Sequence, residues 1–245
     1  MSELTQQELT QRILTALETL RETMATVDAA AAAEPSALPG WNRAHLLAHI
    51  DGFARAATRQ LENAGAPETF PMYDDGPEGR DADIQMTALM HADALVGRAT
   101  EAVQALESGI RTTGPEHWAL NTGFRGSGSL EDLFYAIWRE SVIHTSDFAL
   151  GGSVANWEPE FCAHLFVELA ARVPESRRYI LQPHGAQRIT LGHGEETTVL
   201  SGTAFDLAAW LAGREPLGPV QATADADGTA LPELGPWPSG VKNGK

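Results

Sequence analysis

Apolar residues return every three or four positions through most of the first 150 residues, a spacing that predicts long amphipathic helices. Leu9, Ile13, Leu14, Leu17, Leu20, Met24 and Val27 mark a first helix. The run DAAAAAEPSALPG, Asp28 to Gly40, reads as a frayed helix end followed by a Pro/Gly loop. A second helix is expected from about Asn42, whose side chain can cap it, to about Asn63, with Gly65 as its stop. Its apolar stripe is Leu47, Ile50, Phe53, Ala57 and Leu61. After the loop GAPETFPMYDDGPEGR, a third helix is expected over roughly 81–108, with Ile84, Ala88, Leu95, Ala99, Val103 and Leu106 facing inward. The stretch TTGPEHWALNTGFRGSG holds too many turn residues to be helical, and Ser129 with Asp132 three residues on is close to a capping box that opens a fourth helix. Gly151 and Gly152 end it.

The pattern then changes. EPEFCAHLFVELAARV reads as a helix, QRITLGHGEETTVLSG as two short strands about a turn, TAFDLAAWLAGRE as a helix and GPVQATAD as a candidate last strand. The Pro/Gly-rich tail is expected to be mobile over its last few residues. The predicted class is therefore α+β: a four-helix bundle over residues 1–152, followed by a smaller α+β domain over 153–245.

Charge narrows the choice of partner. With 33 acidic and 17 basic residues, the 245-residue chain carries a formal charge of −16, which disfavours a nucleic acid or an anionic membrane surface as main partner. Small molecules remain, anionic ones included if arginines are locally concentrated. There is no apolar run of about 18 residues, and the N-terminus lacks the basic and apolar blocks of a signal peptide, so a cytoplasmic location is expected. A lone cysteine, Cys162, excludes an intrachain disulfide and every multi-cysteine zinc motif. It reads as a small buried residue, and any metal site must draw on His, Asp and Glu.

One inner stripe of the fourth helix reads Leu133, Ile137, Glu140, His144, Asp147, placing three polar groups where apolar ones are expected. Burying them without partners would cost on the order of several kcal/mol. A buried Glu–His hydrogen bond satisfies them, and so does a divalent metal. Glu140 and His144, four residues apart, project from one face and can give two ligands. A third can come from the second helix, where His49 lies beside the stripe and His45, one turn earlier, points in roughly the same direction. Three ligands of type His2Glu leave one tetrahedral position open, as in catalytic zinc sites. Asp147 can orient a ligand from behind or simply bond near the helix end. Arg139 faces either carboxylates or solvent. Trp41, Tyr73, Trp118 and Phe124 line a pocket or fill the core.

Taken together, GWNRAHLLAHI, MYDDGPEGRDADI and WRESVIHTSDFAL, with LSGTAFDLAAWLAGRE and the closing LPELGPW, resemble the mycothiol-dependent maleylpyruvate isomerases. These are a branch of the DinB-like metal-binding superfamily. The resemblance implies a DinB-like bundle with a zinc ion on His49, Glu140 and His144, and so selects His49 over His45. It places the family's two arginines on Arg80 and Arg214, facing substrate or thiol. Against those roles stand a loop salt bridge for Arg80 and a helix-end charge for Arg214. The implied cofactors are Zn2+, or another divalent metal, and mycothiol or another low-molecular-weight thiol.

The implied reaction is the cis–trans isomerisation of maleylpyruvate to fumarylpyruvate in gentisate degradation. A thiolate that adds to the double bond allows rotation, and its elimination releases the trans product. A small anionic substrate and a small thiol are thus the expected partners, and Cys162 need not act as nucleophile. Two other readings share the scaffold: a zinc-dependent thiol S-transferase, and a non-catalytic binding module in which His45 or Asp51 closes the metal.

Overall fold

The computed structural model describes residues 4–223 and 230–238, and the chain divides at Gly152 into two compact units. The first is helical. Helices α1 (Gln6–Ala25), α3 (Arg43–Glu62), α5 (Ala92–Thr112) and α6 (Leu130–Asp147) pack on one another, while short α2 (Ala29–Ala33) and α4 (Gly76–Thr87) lie against α3. Most of the predicted stripes form the core: Leu9, Ile13, Leu17, Leu47, Leu95, Leu106, Leu133 and Ile137 are almost wholly buried, as is Leu46, whereas Phe53, Leu61 and Ala88 are half-buried.

Local signals set the ends of the helices that matter most. The Asn42 side chain accepts the His45 N–H and starts α3, and Ser129 with Asp132 forms a reciprocal capping box at the start of α6. Arg43, in the first turn of α3, donates from Nε to the Phe148 carbonyl at 2.6 Å and from a terminal nitrogen to the Ala31 carbonyl at 3.1 Å. The start of α3 is thereby tied to the end of α6, which brings the histidines of both helices to the same level.

The expected single helix over 81–108 is two helices. α4 begins earlier, at Gly76, and the chain turns at Ala88–His91 before α5. Neither glycine nor proline marks this break, and Leu89, which a continuous helix would have carried, is highly exposed. α4 buries only Ile84 and lies against α3 as a flap-like wall. The loop before it is held down by α3. Gln60 donates to the Phe70 carbonyl at 2.9 Å and accepts the Gly123 N–H at 2.7 Å, while Arg59 bonds Asp74 and the carbonyls of Pro71 and Met72. The packing at Gly123 is so close that a Cβ there would sit 1.5 Å from the Phe70 carbonyl oxygen, so only glycine fits.

The second unit is α+β. A sheet of order β2-β1-β3-β4 is built from β1 (Arg177–Pro183), β2 (Ile189–Leu191), β3 (Glu196–Gly202) and β4 (Gln221–Thr223). β1 and β3 are parallel, and both edge strands run antiparallel to their neighbours. Alternate residues of β1 and β3 are buried, and α7 (Pro159–Glu168) packs on α8 (Ala204–Leu211), which contacts both strands. β1 is the element that the sequence reading did not contain. Residues Ala224 and Asp225 of the candidate last strand and the last residues of the tail lie outside the described residues. No helix among the described residues is long and apolar enough to cross a membrane.

Candidate metal centre

His49 on α3 and Glu140 and His144 on α6 converge. His49 Nε2 lies 3.0 Å from Glu140 Oε2 and 2.9 Å from His144 Nε2, and His144 Nε2 is 3.0 Å from the same carboxylate oxygen. Both imidazoles are buried, and the Glu140 side chain keeps 29% of its exposure. Three donors about 3.0 Å apart share points about 1.7 Å from each, so an ion at zinc bond lengths of about 2.0–2.2 Å can meet all three from one side. The donor chemistry also fits. His144 Nδ1 is 2.8 Å from Asp147 Oδ2, and a proton on Nδ1, donated to that carboxylate, leaves a lone pair on Nε2.

The charges of the cluster set what a cation would have to displace. Burial raises the Glu140 carboxyl, but hydrogen bonds from His144 and His49 outweigh it and hold the group well below the ordinary value. Burial would lower His144, yet the carboxylates of Asp147 and Glu140 prevail and push it up to about 9. His49 is lowered, first by burial, and is neutral near pH 7. In the metal-free protein the protonated His144 therefore stabilises the fold fully below about pH 6.5 and loses that contribution as pH rises through about 9. A metal must displace this one proton. The apparent zinc affinity is expected to fall about tenfold per pH unit below about 9, and near pH 7 uptake should release about one proton. Calorimetry in buffers of different ionisation enthalpy measures that release. Asp147→Asn should bind zinc roughly 10–100-fold more weakly.

The competing residues have other partners. His45 Nδ1 bonds the Asn42 carboxamide, and its Nε2 lies 3.2 Å from Gln85 Oε1. Asp51, buried, is held by Arg55 at 2.8 Å and Arg98 at 2.7 Å. Among the described residues neither joins the cluster, which keeps three protein donors.

A cavity of about 420 Å³ opens beside His49, walled by α3, the loop residues Met72–Asp75, α4 and Arg98 of α5. Arg80 lines it. One terminal nitrogen bonds Asp81 at 2.8 Å, the other lies 3.3 Å from His49 Nδ1, and the guanidinium sits 5.9 Å from the centre of the Tyr73 ring. A guanidinium only donates, so in this arrangement His49 carries its proton on Nε2, facing Glu140. Burial, against the pull of Arg80, pushes the Tyr73 phenol up to about 12, so it stays protonated. Trp41 and Phe53 pack near the His49 ring.

Trp118 is buried edge-on to Phe134, Phe124 is core, and Arg139 is buried in α6 where a solvent-facing position was one expectation. Cys162 is buried in α7, and burial pushes its thiol up to about 12, so it holds no thiolate at neutral pH. Arg214 belongs to the second unit, just past α8, where it donates to the Ala212 carbonyl at 2.8 Å.

Residues 13–149 match the Mycothiol maleylpyruvate isomerase N-terminal domain, and residues 156–233 match the MDMPI C-terminal domain. The chain belongs to this family. A crystal structure of the mycothiol-dependent maleylpyruvate isomerase is similar with a TM-score of 0.81 at 24% identity, over 94% of this chain and 96% of that one. A histidine-to-alanine mutant of the isomerase gives 0.82 at the same identity and coverage. A comparison with curated proteins yields no match. In this isomerase family the first matched region of the chain carries the whole three-donor cluster and the cavity beside it.

Proposed function

We propose that the protein is a metal- and thiol-dependent cis–trans isomerase that converts maleylpyruvate to fumarylpyruvate, a step of gentisate breakdown. The observation that carries this reading is the meeting of three metal-competent donors, one of which, His49, lines an arginine-lined cavity, in a chain without a reactive thiol of its own. His49, Glu140 and His144 would hold the metal, with zinc the best match to a His2Glu donor set. When bound there, it supplies a positive centre that lowers the pKa of a small thiol such as mycothiol, so that a thiolate exists near neutral pH.

The protein's own groups account for the rest. Asp147 fixes the His144 ring and its tautomer. Arg80, which lines the cavity beside His49 and is held at one end by Asp81, offers a cation for the negative charge that builds on the substrate's conjugated carbonyl as a nucleophile adds. The Tyr73 phenol, protonated on the same wall, can donate a hydrogen bond. Trp41 and Phe53 limit water around His49. Arg214 is assigned to substrate or thiol on family resemblance; at the end of α8 it donates to the Ala212 carbonyl.

The test is direct. Zinc-loaded protein mixed with maleylpyruvate and mycothiol should form the trans product, and omission of the thiol should stop it. Thiol consumed with a different electrophile, without any isomerisation of maleylpyruvate, would replace this reading by that of an S-transferase.

A further inference from the structure

The wall of the cavity formed by α3 and α5 holds a cluster with no part in the metal site. Asp51, two residues beyond His49, is buried to 2% exposure, and each of its carboxylate oxygens is taken by a different arginine. Arg55 and Arg98 both make this contact through Nε. Their side chains remain 48% and 45% exposed, and both line the cavity together with His49 and Arg80. One terminal nitrogen of Arg55 reaches the Arg98 carbonyl at 3.5 Å, and the terminal nitrogens of Arg98 have no hydrogen-bond partner among the described residues.

Two guanidinium groups around one carboxylate leave a net positive charge, in a chain whose overall charge is −16. An ion pair built only to join α3 to α5 would need one arginine. The second adds a cation that Asp51 cannot neutralise. Because Asp51 is buried and fixes both Nε atoms, the terminal nitrogens are held in place before any ligand arrives, which lowers the entropic cost of binding. Paired terminal N–H groups match the two oxygens of a carboxylate. The facing wall is unsuited to this task, since Asp74, Asp75 and Asp83 line it.

We infer that Arg55 and Arg98, braced by Asp51, form a carboxylate-binding subsite that holds the end of a dicarboxylate substrate remote from the metal. The inference rests on the proposed function for the identity of the substrate, but the subsite itself does not require that reaction. Arg55 and Arg98 are here positioning residues: they anchor one end of the substrate while the bond that changes lies near His49 and Arg80.

Maleate, a dicarboxylate without the keto groups, is a suitable probe. Binding to the zinc-loaded protein is measured by calorimetry at 15 °C, for wild type, Arg55→Gln, Arg98→Gln and the charge-matched control Arg111→Gln on the exposed part of α5. Maleate should bind the wild type and the control alike, and the two cavity variants at least tenfold more weakly. With maleylpyruvate those variants should raise KM more than they lower kcat, at unchanged zinc content. Arg55→Lys and Arg98→Lys should recover part of the affinity.

Equal maleate affinity in all four proteins would overturn the subsite, as would failure of the wild type to bind maleate. So would variants that lose thermal stability but keep wild-type affinity, since that is the behaviour of a structural tie. If maleate binding needs both arginines yet no thiol supports isomerisation, the subsite stands and the proposed reaction falls.

Discussion

His49→Ala should leave the purified protein with little or no zinc and reduce thiol-dependent isomerisation to background. Structural zinc sites contribute about 10–16 kcal/mol, so with four ligands each carries roughly 2.5–4 kcal/mol, or about 10²–10³ in affinity. Removing His49 also takes away one of the two partners that keep Glu140 ionised. The measurement is zinc per chain by atomic emission, beside the initial rate. His45→Ala is the internal control, one turn away on α3: its ring bonds Asn42 and Gln85, so the variant should keep its zinc. Full zinc content in His49→Ala, or loss of zinc in His45→Ala, would refute the assignment of ligands. The expected phenotype is loss of metal, not of fold, because Leu46, Leu47 and Ile50, buried on the same helix, are left in place.

That control also shows why helical spacing left the two histidines open, a choice that only the family resemblance made. At a spacing of four they share a helix face, and nothing in the periodicity tells them apart. The difference lies in local partners: the Asn42 side chain that starts α3 also takes the ring of His45, leaving His49 to meet α6. Where one residue type in one place decides the geometry, the chain could be read directly. Asn42 and Ser129 start their helices as expected, and Glu140, His144 and Asp147 interrupt an apolar stripe in plain view.

The fold was harder to read where a distant contact decides. The apolar spacing runs unbroken through Ala88, so the turn between α4 and α5 has no local mark, although it is what lets α4 wall the cavity. RRYILQP opens on two arginines and closes on proline, yet pairing on both sides makes it a central strand. Asp51 and Arg55 show the i, i+4 spacing of a surface ion pair, but Arg98, which turns them into a cluster facing the cavity, lies 47 positions on from Asp51. No short-range pattern contains that distance.

Arg80→Gln is expected to cost roughly 10²–10³ in kcat, the usual loss when one fixed donor to a developing negative charge is removed. Zinc content should not fall, because Arg80 ligates nothing and its hydrogen bond to His49 belongs to the metal-free form. Its contact with His49 Nδ1 carries a further consequence. That contact requires a lone pair on Nδ1, whereas a His49 that gives its Nε2 lone pair to a metal carries its proton on Nδ1. The guanidinium cannot accept that proton, so loading the site ends the hydrogen bond and frees one end of Arg80 toward the cavity it lines. The other end remains with Asp81, a pair on the surface that is worth little to stability, so the variant should unfold close to the wild-type midpoint. Arg80→Lys keeps the charge but not the planar fork, and should restore only part of the rate. A substitution that lowers kcat while KM and zinc stay constant identifies Arg80 as acting on the reacting centre. One that instead strips the metal, or leaves kcat untouched, would reduce Arg80 to a salt bridge with Asp81.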